Sequence, residues 1–224
     1  MIELHDISHR FGERRVLRGV NLALGERRVG IVGSNGSGKS TLARLLNGLV
    51  LPSEGRVLVD GLDTSRDPRA VRRKVGFVFQ DPDLQIVYPT VEEDIAFGLK
   101  NQKLPKNEIA RRVEGALTRF GLTEQRHQPA HLLSGGEKQL LAIAAVLVMA
   151  PAYVVFDEPT TLLDLRNRRR IAQIVAELPE TAIVVSHDLD LVAGFERVIV
   201  LDEGRVVADD APCAALRAYV ERLA

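Results

Sequence analysis

The sequence predicts an α/β fold in which helices cover a mostly parallel sheet and a helical insert interrupts it. Short apolar segments alternate with helical segments near both ends of the 224-residue chain. Repeated strand–helix units favour a parallel sheet that is buried on both faces. Between residues 90 and 150, nearly every segment has helical periodicity. The length suits one sizeable domain or one domain with a subdomain.

The composition excludes several classes of protein. Thirty basic and thirty acidic residues give no net charge, which argues against a protein that mainly binds nucleic acid. Cys213 is the single cysteine, as in proteins of a reducing cytosol. The N-terminus lacks an apolar core of signal-peptide length. The longest uncharged run, residues 139–156, contains Pro151 and is shorter than the roughly 20 residues of a membrane span, so we expect membrane contact only through a partner.

The strands and helices follow from local patterns. Apolar residues at positions 2, 4 and 7 and the segment 20–24 indicate half-exposed strands. Thr90 caps the first helix of the insert, Pro105 begins the second, and Gly121 ends it. Further strands are predicted at 27–33, 54–61, 74–79, 152–156, 181–185 and 197–201, and further helices at 39–49, 135–150, 165–178 and 188–195.

Residues 33–40 fit the phosphate-binding motif G-x-x-x-x-G-K-S, and they follow a strand and begin a helix, as the motif requires. Glycines let backbone N–H groups surround phosphate oxygens, and the helix N-terminus adds positive potential. Lys39 can reach the β- and γ-phosphates, and the Ser40 hydroxyl can bind Mg²⁺. The predicted nucleotide-binding residues of this glycine loop are Gly33, Ser34, Asn35, Gly36, Ser37, Gly38, Lys39, Ser40 and Thr41.

Four polar residues follow other predicted strands. The segment "VVFDEP" ends in Asp157, a candidate partner of Mg²⁺, and Glu158, which can act as general base toward the attacking water. His187 ends the next strand, at the edge where it can contact the γ-phosphate, with a structural histidine as the alternative. Gln80 can sense Mg²⁺ or the water, although an ordinary surface glutamine is an equally open interpretation.

A second candidate anion site begins the segment "LSGGEKQLLAIAAVLVMA". Ser134, Gly135 and Gly136 form the first turn of a predicted helix, where N–H groups and the helix dipole favour an anion. One nucleotide needs only one phosphate-binding loop, so this second site requires an explanation.

The motifs together resemble those of the ATP-binding cassette (ABC) ATPases over essentially the whole chain. The glycine loop, Gln80, "LSGGEKQ", "VVFDEP", "TLLD" and "SHD" occur in that family's order. The resemblance implies one domain, 1–224, with a P-loop NTPase core, an N-terminal antiparallel β subdomain and an inserted helical subdomain. It places the core at about 1–80 and 151–224 and the helical part at about 81–150.

The resemblance also implies a head-to-tail dimer that binds ATP with Mg²⁺. Ser134, Gly135 and Gly136 would then contact the nucleotide held by the partner's glycine loop. Asp164 matches the family's D-loop aspartate, and Phe11 matches the aromatic residue that stacks on adenine, with a core phenylalanine as the alternative. Glu137 replaces the common glutamine after "SGG", and we expect it to point away from the phosphates.

The stretch "QDPDLQIVYPTVEED", residues 80–94, has five acidic and no basic residues. It suits a basic coupling helix of a membrane partner, although an acidic helix N-terminus explains part of it. The stretch resembles the energy-coupling factor (ECF) importers of vitamins and transition-metal ions, most of all the biotin importer's ATPase. This implies a homodimer at the cytoplasmic face of the cell membrane, with a transmembrane coupling protein and a substrate-binding membrane protein.

Two other functions fit the sequence less well than transport does. A non-transport ABC ATPase acting on nucleic acid or the ribosome could use the basic runs at 69–74 and 166–170. Zero net charge disfavours it, and the runs are typical of solvated helix faces. A small-molecule kinase leaves Ser134 to Gly136 unexplained.

Overall fold

Two β-sheets and the helix after the glycine loop form most of a first unit, which comprises residues 1–77, 152–158 and 175–224. The computed structural model describes residues 1–223. A second unit comprises residues 78–151 and 159–174 and contains most of the remaining helices. The sequence-based boundaries at about 80 and 151 stay a prediction.

The elements of the described residues have the following bounds. The strands are β1 (Ile2–Phe11), β2 (Arg14–Leu24), β3 (Arg28–Val32), β4 (Glu54–Val59), β5 (Leu62–Asp63), β6 (Val75–Val78), β7 (Tyr153–Asp157), β8 (Thr181–Val185), β9 (Arg197–Asp202) and β10 (Arg205–Asp210). The α-helices are α1 (Lys39–Leu46), α2 (Pro68–Lys74), α3 (Val91–Asn101), α4 (Lys106–Phe120), α5 (Gly135–Leu147), α6 (Leu165–Glu177), α7 (Leu189–Val192) and α8 (Pro212–Leu223).

The N-terminal sheet has four strands in the order β2-β1-β4-β5, and its pairs are antiparallel. Ile2, Leu4 and Ile7 are buried while their neighbours are more exposed, so the predicted half-exposed strand and antiparallel subdomain are confirmed. β2 begins at Arg14, before the predicted start at Val20. Its first residues are charged because β2 is the edge strand, where charge discourages further pairing.

The second sheet has six strands in the order β10-β9-β3-β8-β7-β6. β3 pairs in parallel with β8 and β9, and β7 pairs in parallel with β8, whereas β10 pairs with β9 antiparallel. Every residue of β3 and β7 is buried, as in sheets covered on both faces. The mostly parallel sheet is therefore confirmed. The carboxyl ends of β3, β7 and β8 lie at one edge of it.

Two predicted helices of the first unit are shorter than expected. α1 ends at Leu46 instead of residue 49, because Gly48 has φ 68° and the Asn47 side chain accepts the Leu49 N–H at 3.0 Å. Asn and Gly both favour this way of ending a helix. The last predicted helix, 188–195, is reduced to α7, which ends before Gly194. Glycine is a poor helix former.

The helices α3, α4 and α5 of the second unit begin where the sequence predicts. α5 ends at Leu147 rather than at residue 150, because Ala150, just before Pro151, has φ 53° and cannot continue the helix. The Thr90 side chain accepts the Glu93 N–H at the start of α3. Pro105 precedes α4, and Gly121 ends it with φ 59°. Leu140, Ile143 and their neighbours in α5 are buried, which explains the long uncharged run.

Within residues 1–223, the helices are all too short or too polar to cross a membrane.

Arg28 is a buried cation at the start of β3. Its guanidinium donates to the carbonyl oxygens of Arg27 at 2.7 Å, Glu180 at 2.8 Å and Ala176 at 3.2 Å, and also to that of Leu178. Burial lowers the pKa of the guanidinium, and the carbonyls compensate for the lost hydration. Arg28 thus satisfies carbonyl oxygens at the C-terminal end of α6 that the helix itself leaves unpaired.

Replacement of Arg28 by methionine removes the donors while keeping much of the side-chain volume. We expect the free energy of unfolding to fall by about 2–4 kcal/mol, because several buried carbonyl oxygens lose a charged donor. Urea denaturation followed by circular dichroism measures this change. The matched control is Arg27→Met, since Arg27 is exposed and makes one bond of 3.4 Å to Leu178. Equal losses in both variants would contradict the assignment.

Candidate active site

Two glycines of the loop between β3 and α1 lie too close to neighbouring backbone for any side chain. Gly33 has φ 155°, and a Cβ there would lie 2.1 Å from the Leu201 carbonyl oxygen. Gly38 has φ 103°, and a Cβ there would lie 2.8 Å from the Val16 carbonyl oxygen. Only glycine combines these angles with this lack of space. The path of the loop is therefore fixed by contacts with both sheets of the first unit.

The Lys39 side chain binds two backbone carbonyl groups of the glycine loop. Its Nζ donates to the carbonyl oxygens of Gly33 at 2.8 Å and Ser34 at 2.9 Å. Burial lowers the pKa of the ammonium group, and the nearby Glu158 and Asp157 carboxylates oppose that shift. Since an ammonium group has three donors, one N–H is left for a phosphate oxygen.

Ser40 and Asp157 meet at the carboxyl edge of the parallel sheet. The Ser40 hydroxyl donates to Asp157 Oδ1 at 2.8 Å, and Arg44 Nη2 lies 3.8 Å from Asp157 Oδ2. Burial raises the pKa of the Asp157 carboxyl, while the Ser40 hydrogen bond and Arg44 lower it. Sequence analysis missed Arg44, whose sequence position gives no sign of this contact.

This pair of oxygen ligands fits Mg²⁺. The ion commonly binds through one or two protein oxygens and completes its coordination with water and substrate phosphates. Residues 1–223 contain no group of three or more His, Cys, Asp or Glu side chains that could hold a metal alone.

Glu158 and His187 form a direct pair. His187 Nδ1 lies 2.7 Å from Glu158 Oε2, and the His187 backbone N–H donates to the same oxygen at 3.2 Å. The parallel pairing of Asp157 with Val185 brings these two strand ends together. Glu158 is buried and has φ 53°, a conformation that is costly for residues other than glycine and is found at functional sites.

Ser134 caps α5 in the second unit. Its Oγ accepts the Glu137 N–H at 3.4 Å, while the Glu137 carboxylate accepts the Ser134 N–H at 2.9 Å and the Ser134 O–H at 2.6 Å. This is a capping box, which the S-x-x-E spacing could have predicted. Glu137 was expected to point away from the phosphates, but its carboxylate is bonded to Ser134, one of the residues predicted to bind a phosphate. It is held there by donors that the start of the helix leaves free.

The Ser134 bonds lower the pKa of the Glu137 carboxyl. Gln125 Nε2 also donates to Glu137 Oε1 at 3.1 Å. The carboxylate is therefore held at the same turn that the sequence predicts to face a phosphate.

Asn167 joins Asp164 to the glycines after Ser134. Its backbone N–H and Nδ2 donate to the Asp164 carboxylate at 2.8 and 2.9 Å. A Cβ on Gly136 would lie 2.4 Å from Asn167 Cγ, whereas a Cβ on Gly135 would meet nothing within 4 Å. The structure thus brings the predicted D-loop residue and the second candidate anion site together through a residue that sequence analysis missed.

Gln80 and Phe11 complete the predicted set. Gln80 belongs to the second unit and lies two residues beyond β6. The loop after it is fixed by Gln85, which accepts the Phe79 N–H at 3.1 Å and donates to the Ala142 carbonyl oxygen at 2.8 Å. Phe11 ends β1 with 55% of its surface exposed, so the core alternative does not hold.

Comparison with known proteins gives a family for this arrangement. Residues 17–161 match the family model described as ABC transporter. The chain belongs to the ABC transporter ATP-binding family. The resemblance predicted from the motifs is therefore confirmed, and this ABC protein is an ATPase.

Its relatives match along nearly the whole chain. A Deinococcus radiodurans protein, provisionally named as an ABC transporter ATP-binding protein, is 66% identical over 100% of this chain and 99% of its own length. The biotin transport ATP-binding protein BioM of Rhizobium etli is 51% identical over 94% of both chains. The energy-coupling factor transporter ATP-binding protein EcfA of Methanothermobacter thermautotrophicus is 44% identical over 97% of this chain and 73% of its own.

Two solved structures share the fold of this ABC ATPase. The cbiO1 protein of Clostridium perfringens, part of the ABC transporter complex cbiONQ, superposes with a TM-score of 0.86 at 36% identity. It matches 99% of this chain and 93% of its own. A dimeric post-hydrolysis structure of the cassette MJ0796 bound to ADP and Pi has a TM-score of 0.84 at 30% identity, over 95% and 99% of the two chains.

Gly136→Ala tests the contact with Asn167. The added methyl group collides with the amide, so we expect the free energy of unfolding to fall by about 1–3 kcal/mol relative to Gly135→Ala, as in other overpacked sites. Both changes lie in the first turn of α5, so their effects on helix propensity largely cancel. Denaturation of the two variants measures the difference in the free energy of unfolding. Asn167→Ala, added to both variants, is expected to remove most of that difference, because the colliding amide is then absent. Equal stability of the two alanine variants would refute the contact.

Proposed function

We propose that this ABC ATPase hydrolyses ATP at the edge where β3, β7 and β8 end, and that it powers an ECF-type importer. The observation that carries the proposal is the pairing of Glu158 with His187 beside the Ser40–Asp157 pair and the glycine loop. These are the groups that phosphoryl transfer to water needs: positive charge for the phosphates, oxygens for a metal ion, and a base.

Glu158 is the proposed general base. Two bonds from His187 orient the carboxylate and keep it at the strand end. It takes a proton from the water whose oxygen bonds to the γ-phosphorus, while the bond from that phosphorus to the bridging oxygen breaks and ADP leaves. Lys39 and the backbone N–H groups of the glycine loop hold the phosphates in place. Bound Mg²⁺, held by Ser40 and Asp157 with Gln80 as a further candidate, would supply neutralisation of phosphate charge.

A head-to-tail dimer is the proposed active unit. Ser134, Gly135 and Gly136 would bind the γ-phosphate of a nucleotide held by the partner's glycine loop, with Asp164 contacting that partner. The dimeric MJ0796 structure supports this arrangement. A two-fold interface makes two such composite sites, which accounts for two phosphate-binding loops in one chain. Phe11, exposed at the end of β1, is the proposed adenine contact.

The transported substrate is proposed from relatives. Similarity to BioM, EcfA and cbiO1 supports import of a vitamin, with biotin favoured, or of a transition-metal ion. The partners would be a transmembrane coupling protein and a substrate-binding membrane protein, with the ATPase attached to them at the cytoplasmic face. The reported relatives give no support to the alternative function on nucleic acid or the ribosome.

The loop after Gln80 refines the proposed membrane contact. Its acids have internal partners: Asp83 pairs with Lys138 at 2.7 Å, and the buried Asp94 accepts the N–H groups of Val87 and Tyr88. By contrast, Leu84 and Val87 are 74% and 70% exposed. We therefore assign the contact with the coupling protein to apolar side chains of this loop rather than to its acidic residues, because exposed apolar groups gain most from burial.

Glu158→Gln tests the base. Glutamine can still accept a hydrogen bond but cannot take a proton, so we expect ATP binding within about twofold of the native protein and a loss of hydrolysis of at least about 100-fold. The ATP-bound dimer should accumulate, as measured by size-exclusion chromatography with light scattering. Glu124→Gln, an exposed glutamate of the second unit, is the control. Near-normal turnover of Glu158→Gln would remove Glu158 from this role.

Mixing two inactive variants tests the composite site. Lys39→Ala disables the glycine loop, and Ser134→Arg disables the second anion site. In a head-to-tail mixed dimer, one site combines both defects and the other has neither. We expect ATP hydrolysis to reappear on mixing, at up to about a quarter of native activity if subunits exchange freely. Hydrolysis that stays absent, although chromatography shows mixed dimers, would contradict shared sites.

Co-purification from membranes tests the partners. We expect the tagged ATPase, expressed in its native cells, to bring down a coupling protein and a small membrane protein with bound ligand. Leu84→Lys with Val87→Lys should reduce this recovery at least about tenfold, because two charges replace buried apolar contacts. Val220→Lys, an exposed apolar position of α8, is the control. Full recovery with the double variant would refute the assigned surface.

A further inference from the structure

A polar cavity lies in the first unit, among β1, β2, β10 and the start of β4. Its volume is about 390 Å³, within the range of small-molecule sites. No residue of the glycine loop lines it, and neither do Phe11, Asp157 or Glu158. The cavity is thus distinct from the candidate active site. Its lining residues are Ser8, His9, Arg10, Arg15, Leu17, Arg18, Gly19, Ser53, Glu54 and Arg205.

The charge around this cavity is strongly unbalanced. Four arginines line it, whereas Glu54 is the only lining carboxylate, which leaves an excess of three positive charges. Across residues 1–223, no carboxylate lies within 4.0 Å of any of the four guanidinium groups. Arg197 of the same unit, by contrast, binds Asp209 and Glu26.

Pairing across the strands concentrates these arginines. Arg10 and Arg15 are opposite each other in the antiparallel pair of β1 and β2, where like charges repel. Arg18 donates its backbone N–H to Gly204, next to Arg205, which brings β2 and β10 together. The repulsion among these cations is relieved only by an anion or by solvent.

Two hydroxyl groups add donors to the cavity wall. Ser8 Oγ accepts the Gly19 N–H at 3.1 Å, and Ser53 Oγ accepts the Arg10 N–H at 3.2 Å. These bonds fix the positions of the two oxygens. The proton of Ser8 can point into the cavity, because a hydroxyl both accepts and donates. Ser53 Oγ also lies 3.4 Å from Nδ1 of His9, which lines the cavity as well.

We propose that this cavity binds a small anion with at least two phosphate groups, separately from the ATP that is hydrolysed. The guanidinium fork matches phosphate oxygens in pairs, and four such groups exceed what a single phosphate can use. A concave site of this size suits a soluble molecule rather than a flat membrane surface. The ring of His9, which lines the cavity, also contacts the ring of Phe11 at 4.6 Å between centroids, so the bound anion lies next to the proposed adenine contact.

Inorganic pyrophosphate is the probe for this site, measured by titration calorimetry at low salt without Mg²⁺. The protein carries Lys39→Ala, so that the glycine loop contributes little. We expect one saturable site per chain, and at least a tenfold loss of affinity when Arg15→Gln and Arg205→Gln are added. Arg56→Gln, an exposed arginine of β4 outside the cavity, should change affinity less than twofold. Thermal denaturation checks that each variant is folded.

A second measurement uses the native sequence. Pyrophosphate should protect the four cavity arginines from phenylglyoxal, while Arg56 stays reactive. Absence of saturable binding in the Lys39→Ala protein would overturn the proposal, as would equal losses with Arg56→Gln. Vesicles containing phosphatidylglycerol form a third arm. Arginine-dependent binding of vesicles without any binding of pyrophosphate would assign the surface to lipid and also overturn it.

Discussion

Parallel pairing of β3, β7 and β8 is the constraint on which the candidate site depends. Because these strands run in the same direction, the glycine loop, the Asp157–Glu158 pair and His187 follow their carboxyl ends at one edge of the sheet. A strand reversed in this sheet would carry its polar residues to the other edge. The register is set by buried Val, Ile and Phe side chains along all three strands, so a hydrophobic pattern determines where charged chemistry takes place.

The strongest periodic and motif patterns predicted most of the fold. α3 and α4 begin and end at Thr90, Pro105 and Gly121 because each of these residues acts through its own backbone or side chain. β10 and α8 were not predicted, since their mixed sequences have no clear period and their positions depend on packing against β9. Elements whose form depends on a neighbour are the ones that a single sequence hides.

The same distinction holds at the site. Motif spacing predicts candidate site residues that lie close together in sequence, as in the glycine loop. The Glu158–His187 bond joins residues 29 positions apart, so only strand pairing reveals it. No sequence pattern distinguishes Asn167, because an asparagine in a helix is common and its contact with Gly136 is visible only in the structure. Glu137 differs, since its spacing from Ser134 predicts a capping box, whereas its charge alone predicts a carboxylate that avoids phosphate.

The capping box has a consequence for how long two subunits stay together. The Ser134 hydroxyl already donates to the Glu137 carboxylate, at 2.6 Å. In the proposed dimer, an arriving γ-phosphate would exchange that bond for another of similar strength, and it would also approach a carboxylate. The free energy gained when the dimer closes would therefore be smaller than if the Ser134 hydroxyl had no bond beforehand. Once phosphate leaves, the Ser134 hydroxyl would donate to Glu137 again. Glu137 would thus compete with phosphate for this hydroxyl, which would shorten the lifetime of the closed dimer.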